Sequence, residues 1–296
     1  MLFKTKCSGR LRPHKKLDKK LQAVERPRNA LQVVVDKVFS IVFLLYFILS
    51  SAFFNAITAI ATVLTFPFDK RRQIVHMISC FWGWHYLPLN PFWQFKLEGR
   101  EHLDPNKTYV IIGNHSSYFD ILVCYATFRK FKFVSKETIF NIPLIGWNMY
   151  LNQYVKIRRG NLSSIKEMMA TCKEWLKMGA SVMMFPEGTR TETGEILPFR
   201  AGSFNLALEL DVPIVPIVIY GTYEVFPKNR NELRTFQPIH ARILPPMMPK
   251  DYEGKPGKMK EDAYRAMNDT LNELRSKYYI GTAAGATENL VGTKKD

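Results

Sequence analysis

Apolar and polar positions follow two regimes along this chain. Between Lys37 and Asp69 lie 31 residues without a single charge. Coiled into one helix they would extend about 46 Å at roughly 1.5 Å per residue, more than the ~30 Å hydrocarbon core of a bilayer. Two arrangements meet that length: one tilted transmembrane helix, or two shorter helices that dip into one leaflet and return. Arg26, Arg28 and Lys37 stand before the run and Lys70, Arg71 and Arg72 after it. The positive-inside tendency therefore places both ends on one side. Asn55, near the middle, sits more easily at a bend, so the re-entrant pair is favoured. The run is too long, and starts too late, for a cleaved signal peptide.

Next comes an aromatic stretch, Phe81, Trp82, Trp84, Tyr86, Phe92 and Trp93, broken by Pro88 and Pro91. It suits either a membrane interface or an aromatic core beneath a following domain. From Phe95 onward short apolar runs alternate with amphipathic ones. Strands are predicted at 110–112, 131–134, 154–157, 182–185 and 214–219. Helices are predicted at 164–177, where Ser164 and Glu167 form a capping-box pair, at 202–210, and at 258–279 as a closing amphipathic helix. This alternation predicts an α/β domain, a largely parallel sheet flanked by helices, behind an N-terminal membrane-embedded helical segment. The expected organisation is a basic segment over 1–37, membrane-anchoring helices and the aromatic stretch over 38–94, the α/β domain over 95–280, and a small, polar, disordered tail over 281–296.

Composition sharpens this picture in two places. The hydrophobic fraction of 47% supports a substantial core, and the net charge is +16. Residues 1–28 hold ten Lys/Arg against Asp18 and Glu25, half of that net charge. Beside an apolar anchor such a cluster suits an anionic leaflet, at about 1 kcal/mol per basic residue near the surface; a solvated tail is the alternative. With the charge adjoining a membrane segment and no nucleic-acid motif, a nucleic-acid partner is not expected. Cys7, Cys80, Cys124 and Cys172 are far apart and read as reduced thiols. Without a Cys/His cluster no metal is expected.

The chemistry concentrates in two short motifs. Gly113-Asn114-His115-Ser116-Ser117-Tyr118-Phe119-Asp120 follows a predicted buried strand and sets a histidine five residues before an aspartate. If the chain bends from strand to helix between them, the carboxylate can hold one ring nitrogen while the other takes a proton. A satisfied turn would use the same residues. Phe185-Pro186-Glu187-Gly188-Thr189-Arg190 also follows a strand-like run. Ser116, Ser117 and Ser203 lie in no nucleophile elbow.

Together these motifs resemble the glycerolipid acyltransferases, whose best-known members are the lysophosphatidic acid acyltransferases. Four ordered blocks have counterparts here: His115 to Asp120, the stretch from Lys136 through Ile142-Pro143-Leu144-Ile145-Gly146 to Arg158-Arg159, Phe185 to Arg190, and Val212-Pro213-Ile214-Val215-Pro216-Ile217. The resemblance covers roughly residues 95 to 245. It implies an enzyme that moves a fatty acyl chain from an acyl thioester to the free hydroxyl of 1-acylglycerol-3-phosphate, giving phosphatidic acid. His115 would be the general base, oriented by Asp120, with no covalent intermediate. Lys136, Arg159 and Arg190 are candidates for the acceptor's phosphate, each with a surface salt bridge as its alternative. Glu187 would bond a glycerol hydroxyl or hold Arg190, and Gly188 would allow close approach of the ligand or simply make a tight turn. No cofactor is expected, only acyl-CoA or an acyl-carrier protein as co-substrate, with membrane lipid and a lysophospholipid acceptor as partners. The implied location is the membrane, on its cytoplasmic face. Other acceptors (another lysolipid or glycerol-3-phosphate) and a non-catalytic module binding anionic lipid are the alternatives. Arg158 departs from the pattern, standing where an acidic or small residue is common.

Overall fold

The structure is a computed structural model, and it describes residues 28–278. The basic run over 1–27 and the tail over 281–296 lie outside the described residues. Two helices lead, α1 (Ala30–Thr65) and α2 (Gln73–Trp84). The sheet holds β1 (Lys96–Glu98), β2 (Val110–Gly113), β3 (Phe131–Lys136), β4 (Val155–Ile157), β5 (Ser181–Met184), β6 (Ile214–Tyr220) and β7 (His240–Ile243). The helices among and after the strands are α3 (Phe119–Tyr125), α4 (Ile145–Leu151), α5 (Leu162–Lys177), α6 (Gly202–Glu209), α7 (Thr222–Val225) and α8 (Pro256–Tyr278).

Strand order is β1-β7-β6-β2-β5-β3-β4. Strands β2 to β6 run parallel, β7 pairs antiparallel with β6, and β1 follows β7 in parallel. Alternate residues feed two cores. Ile111, Met183, Val215 and Ile217 join one with α2, α3 and α4, while Val110, Ile112, Val182 and Val218 join the other with α5, α6 and α8. Burial on both faces explains why these strands are continuous apolar runs in the sequence. The sequence reading did not include β1 or β7. β1 has only three residues, and β7 carries His240 and Arg242, so neither shows a clean period. Arg242 reaches Glu98 at 2.8 Å and Glu273 at 2.7 Å, which ties this polar edge together.

Two local expectations are corrected. The cap of α5 is Asn161, whose side chain accepts from Ser164 N–H; Ser164 instead takes the amide of Arg158 at 2.8 Å. The favoured re-entrant bend is also absent. The 36 residues of α1 form one continuous helix through Asn55, about 54 Å long at 1.5 Å per residue. Asn55 needs no bend, because its amide donates to Ser51 O four residues back at 2.7 Å. Ser50, Thr58, Thr62 and Thr65 bond the same way within the helix.

One stripe of α1 packs on the domain. Phe43 meets Phe119 and Trp93, Asp36 accepts from Thr235 N–H at 2.9 Å, Ser40 accepts from Leu233 N–H, and Ser50 pairs with Tyr86 at 2.7 Å. The opposite stripe, including Leu45, Leu49, Phe53, Ile60 and Leu64, is exposed. The helix is long and apolar enough to cross a membrane, and its exposed face marks the membrane-associated side of the protein. The aromatic stretch is mainly core: Tyr86 and Trp93 are fully buried and Trp82 nearly so, whereas Phe81 and Phe92 point outward. The leading helices and the sheet contribute to the same core.

Candidate active site

The carboxyl ends of the parallel strands form the rim where ligands of such sheets bind, and the candidate residues follow directly from those ends. Beyond Gly113 at the end of β2, Asn114 is buried and clasps β6, donating to Ile219 O at 2.8 Å and accepting from Ile219 N–H at 2.7 Å. That clasp fixes the point at which the chain turns, and His115 comes next.

Asp120 sits in the first turn of α3, fully buried. Its Oδ2 accepts from His115 Nδ1 at 2.9 Å and from the amides of Ser116 and Ser117 at 2.7 and 2.8 Å. Its Oδ1 accepts from the Thr222 hydroxyl at 2.5 Å. Four donors offset the cost of burying the carboxylate. A carboxylate can only accept, so Nδ1 of His115 carries a proton, and in the neutral ring the lone pair is on Nε2. Nε2 makes no hydrogen bond among the described residues, and the side chain is 13% exposed. Phe185 stacks on the imidazole with centroids 4.1 Å apart, which fixes the plane of the ring. This is the arrangement a general base requires: one nitrogen locked, the other available.

The second motif interlocks with the first. Glu187 accepts from His115 N–H at 2.6 Å and from Leu197 N–H at 2.8 Å, while Thr191 N–H donates to His115 O at 2.9 Å. Both carboxyl oxygens of Glu187 are therefore committed to backbone, and the side chain is buried. It braces the His115 peptide; the expected contact with Arg190 is not made, and a glycerol hydroxyl would have to share an occupied oxygen. Burial pushes its carboxyl up to about 8, with the charge of Asp120 adding and the two amides pulling it down. Gly188 has φ +72°, and a Cβ there would lie 2.7 Å from Arg200 Nε. What approaches this glycine closely is thus the guanidinium of Arg200, over a left-handed turn that glycine adopts without strain.

The three candidate cations spread along the rim. Arg190, one residue before the Thr191 amide that holds His115, lies over the Tyr118 ring at 3.7 Å. Lys136 ends β3, two strands from β2, and Arg159 follows β4, three strands from β2. None of the three has a carboxylate partner among the described residues. Arg158 does: it grips Glu137 with two bonds of 2.8 and 3.0 Å, which accounts for the unexpected arginine as half of a surface ion pair. Ser116 bonds Thr222 and Ser117 bonds Phe226 O, so both serines are turn residues. Thr222 and Arg200 are absent from the sequence reading. The only signal for Thr222 is its place one residue beyond Gly221 after the fourth block.

Residues 94–220 match the family model described as Acyltransferase. The chain is 32% identical over 207 residues to the chloroplastic 1-acyl-sn-glycerol-3-phosphate acyltransferase BAT2 of Brassica napus, covering 69% of this chain and 58% of that protein. It is 35% identical over 220 residues to a 1-acyl-sn-glycerol-3-phosphate acyltransferase of Chlamydomonas reinhardtii, covering 72% and 65%. The matched region is thus less than two thirds of either relative's length. The crystal structure of the 1-acyl-sn-glycerophosphate acyltransferase PlsC from Thermotoga maritima shares the fold, with a TM-score of 0.65 at 22% identity over 81% of this chain and 98% of that one. His115, Asp120, Glu187 and Arg190 all lie inside residues 94–220, the stretch that matches the Acyltransferase family model.

Proposed function

We propose that this protein transfers a fatty acyl chain from an acyl thioester to the free hydroxyl of 1-acylglycerol-3-phosphate, giving phosphatidic acid at a membrane. The observation that carries this reading is His115, with Nδ1 held by Asp120 and Nε2 unengaged at the rim. The substrate class is taken from the named relatives. Nε2 removes the hydroxyl proton as the acceptor oxygen bonds to the thioester carbon. The C–S bond then breaks, and the thiolate leaves with the proton that His115 returns. Arg190, its planar fork steadied on Tyr118, serves the acceptor's phosphate. No residue forms a covalent acyl intermediate.

Position relative to the membrane belongs to the same reading. Because α1 is bonded from Asp36 to Ser51 to residues packed with the domain's core, it cannot cross a bilayer while the domain stays in water. It instead lies in one leaflet with its exposed stripe among the acyl chains and the rim beside the headgroups. The cytoplasmic leaflet suits the basic residues at the N-terminus.

The test is an acceptor panel on the full chain in detergent micelles with a radiolabelled acyl donor. Labelled phosphatidic acid from 1-acylglycerol-3-phosphate is expected. Faster acylation of a lysolipid without a phosphomonoester, or of glycerol-3-phosphate, would reassign the acceptor. Lipid binding without transfer would make the protein a binding module.

A further inference from the structure

Residues 185–201, between β5 and α6, run without helix or strand, yet they carry Glu187, Thr191 and Leu197, whose bonds brace His115 and its motif. Holding such a length in one conformation costs backbone entropy at every residue, so the loop depends on what ties it down. Its buried tether comes from α8, which lies outside the matched family region and outside all four sequence blocks. Met259, Ala263, Met267, Leu271 and Leu274 sink α8 into the second core. The next residue, Arg275, is only 7% exposed. Its guanidinium meets both carboxyl oxygens of Glu195 at 2.8 and 2.9 Å and donates to Gly194 O at 2.6 Å. Tyr264, about three turns earlier on the same helix, donates to Ile196 O at 3.1 Å and packs edge-on against Phe199. On the loop's outer side Tyr223 and Lys228 hold only Glu192, which is exposed.

Position along the chain makes this staple matter for the chemistry. Glu195 stands two residues before Leu197, whose N–H donates to one oxygen of Glu187 at 2.8 Å, and the other oxygen accepts from His115 N–H at 2.6 Å. The path from Arg275 to the base is therefore short: Glu195, a step of backbone, the Leu197 amide, the Glu187 carboxyl group, the His115 peptide. A bidentate arginine–carboxylate pair fixes angle as well as distance. Removing it frees 194–196 to shift, and a shift there reaches His115 through two hydrogen bonds. Reaction geometry tolerates little of this, since a displacement of about 1 Å can cost about 10²-fold in rate. We propose that Arg275 is a positioning residue for acyl transfer, setting the imidazole of His115 through Glu195 and the Glu187 brace, with Tyr264 assisting it. The inference rests on the acyl-transfer reading above. Arg242 supplies the contrast. It also ties α8 down, through Glu273, but joins it to Glu98 on β1, three strands from β2.

Rate and exchange measurements separate positioning from plain support. On the full chain in micelles, Arg275→Gln should lower kcat by about 10- to 100-fold and leave donor and acceptor KM within about twofold. Arg275→Lys, which keeps the charge but loses the fork, should restore part of the rate. Glu195→Gln alters a side chain that is 40% exposed, so folding does not depend on it, and it should show the same loss. The double variant should be no slower than either single one, because both break one contact. Arg242→Gln should lower the melting temperature and leave kcat alone. Hydrogen exchange reads the tether without turnover: the amides of Leu197 and His115 should lose protection in Arg275→Gln and Glu195→Gln, but not in Arg242→Gln. The proposal is overturned if kcat survives in folded Glu195→Gln, if the loss falls on KM, if the two substitutions add, or if protection at His115 is unchanged. A wild-type chain that transfers no acyl group, with variants that still lose protection at His115, would remove the transfer reading and leave the tether standing.

Discussion

Two histidines in this molecule have nearly opposite surroundings. His115 has one nitrogen on Asp120 and the other free at the rim, with the Phe185 ring stacked on it. His76, on α2, is 1% exposed and has both nitrogens committed, Nδ1 to the Tyr154 hydroxyl at 2.7 Å and Nε2 to Arg129 O at 3.0 Å. It has no carboxylate. Burial, reinforced by the charge of Lys132, holds its pKa down to about 3, so it stays neutral. Around it Tyr154 bonds Tyr125, Lys132 donates to Asn152 O at 2.6 Å and lies over the Trp175 ring, and Ser79 joins Asn148. Residue type therefore does not make a base. A histidine serves chemistry where the fold leaves one nitrogen unspent, and it serves architecture where both are used.

The sharpest way to break this contrast is to remove each ring. His115→Ala should lower the transfer rate by about 10²–10⁴-fold while thermal unfolding stays near wild type; more than a tenth of the rate surviving would end its role as base. His76→Leu should do the reverse. It strands Arg129 O and one bond of Tyr154, which costs about 1–3 kcal/mol in denaturant titrations, with kcat of the folded fraction within about twofold. A large loss of kcat at full stability would mean that the buried cluster takes part in the reaction.

Arg190→Lys keeps the charge but loses the fork. Acceptors bearing a phosphomonoester should show a KM raised about tenfold, with phosphate-free acceptors unaffected. An equal effect on both would make Arg190 a structural residue.

A pH dependence is set by Lys132, whose ammonium burial pulls down to about 7, with Asp69 opposing and Arg72 adding to that fall. The folded state sheds this proton before the unfolded one, whose lysine holds it to about 10.4. The penalty is complete below pH 7 and is relieved as pH rises toward 10, so stability should climb across that window, by at most about 1.4 kcal/mol per pH unit. Lys132→Met should abolish that slope in unfolding measured between pH 7 and 10. An unchanged slope would locate its origin elsewhere.

Legibility in the sequence followed the distance over which a feature is built. The His115–Asp120 pair and the 185–190 motif are contiguous, and β2, β5 and β6 announce themselves because they are buried on both faces, while β3 and the edge strand β4 show only short apolar runs. Thr222 and Arg200 reach the site from segments whose meaning depends on the sheet order, so no local pattern points to them. Asn55 misled for the opposite reason: a polar residue in an apolar run suggests a bend only if its donor is satisfied outside the helix, and here Ser51 O one turn back takes its Nδ2–H. Glu187 looked like a ligand for substrate because its type permits that role, whereas its partners are two amides that belong to no motif pairing.

The clasp between the two motifs also has a mechanical meaning. His115 gives its amide to Glu187 and takes the amide of Thr191 on its carbonyl, so the strand end and the 185–200 loop behave as one cooperative unit. Backbone amides of His115, Leu197 and Thr191 should accordingly exchange with deuterium at a shared rate set by a single opening event. Any fluctuation that loosens the loop would then swing the imidazole away with it, and the protein would idle rather than release a partly positioned base.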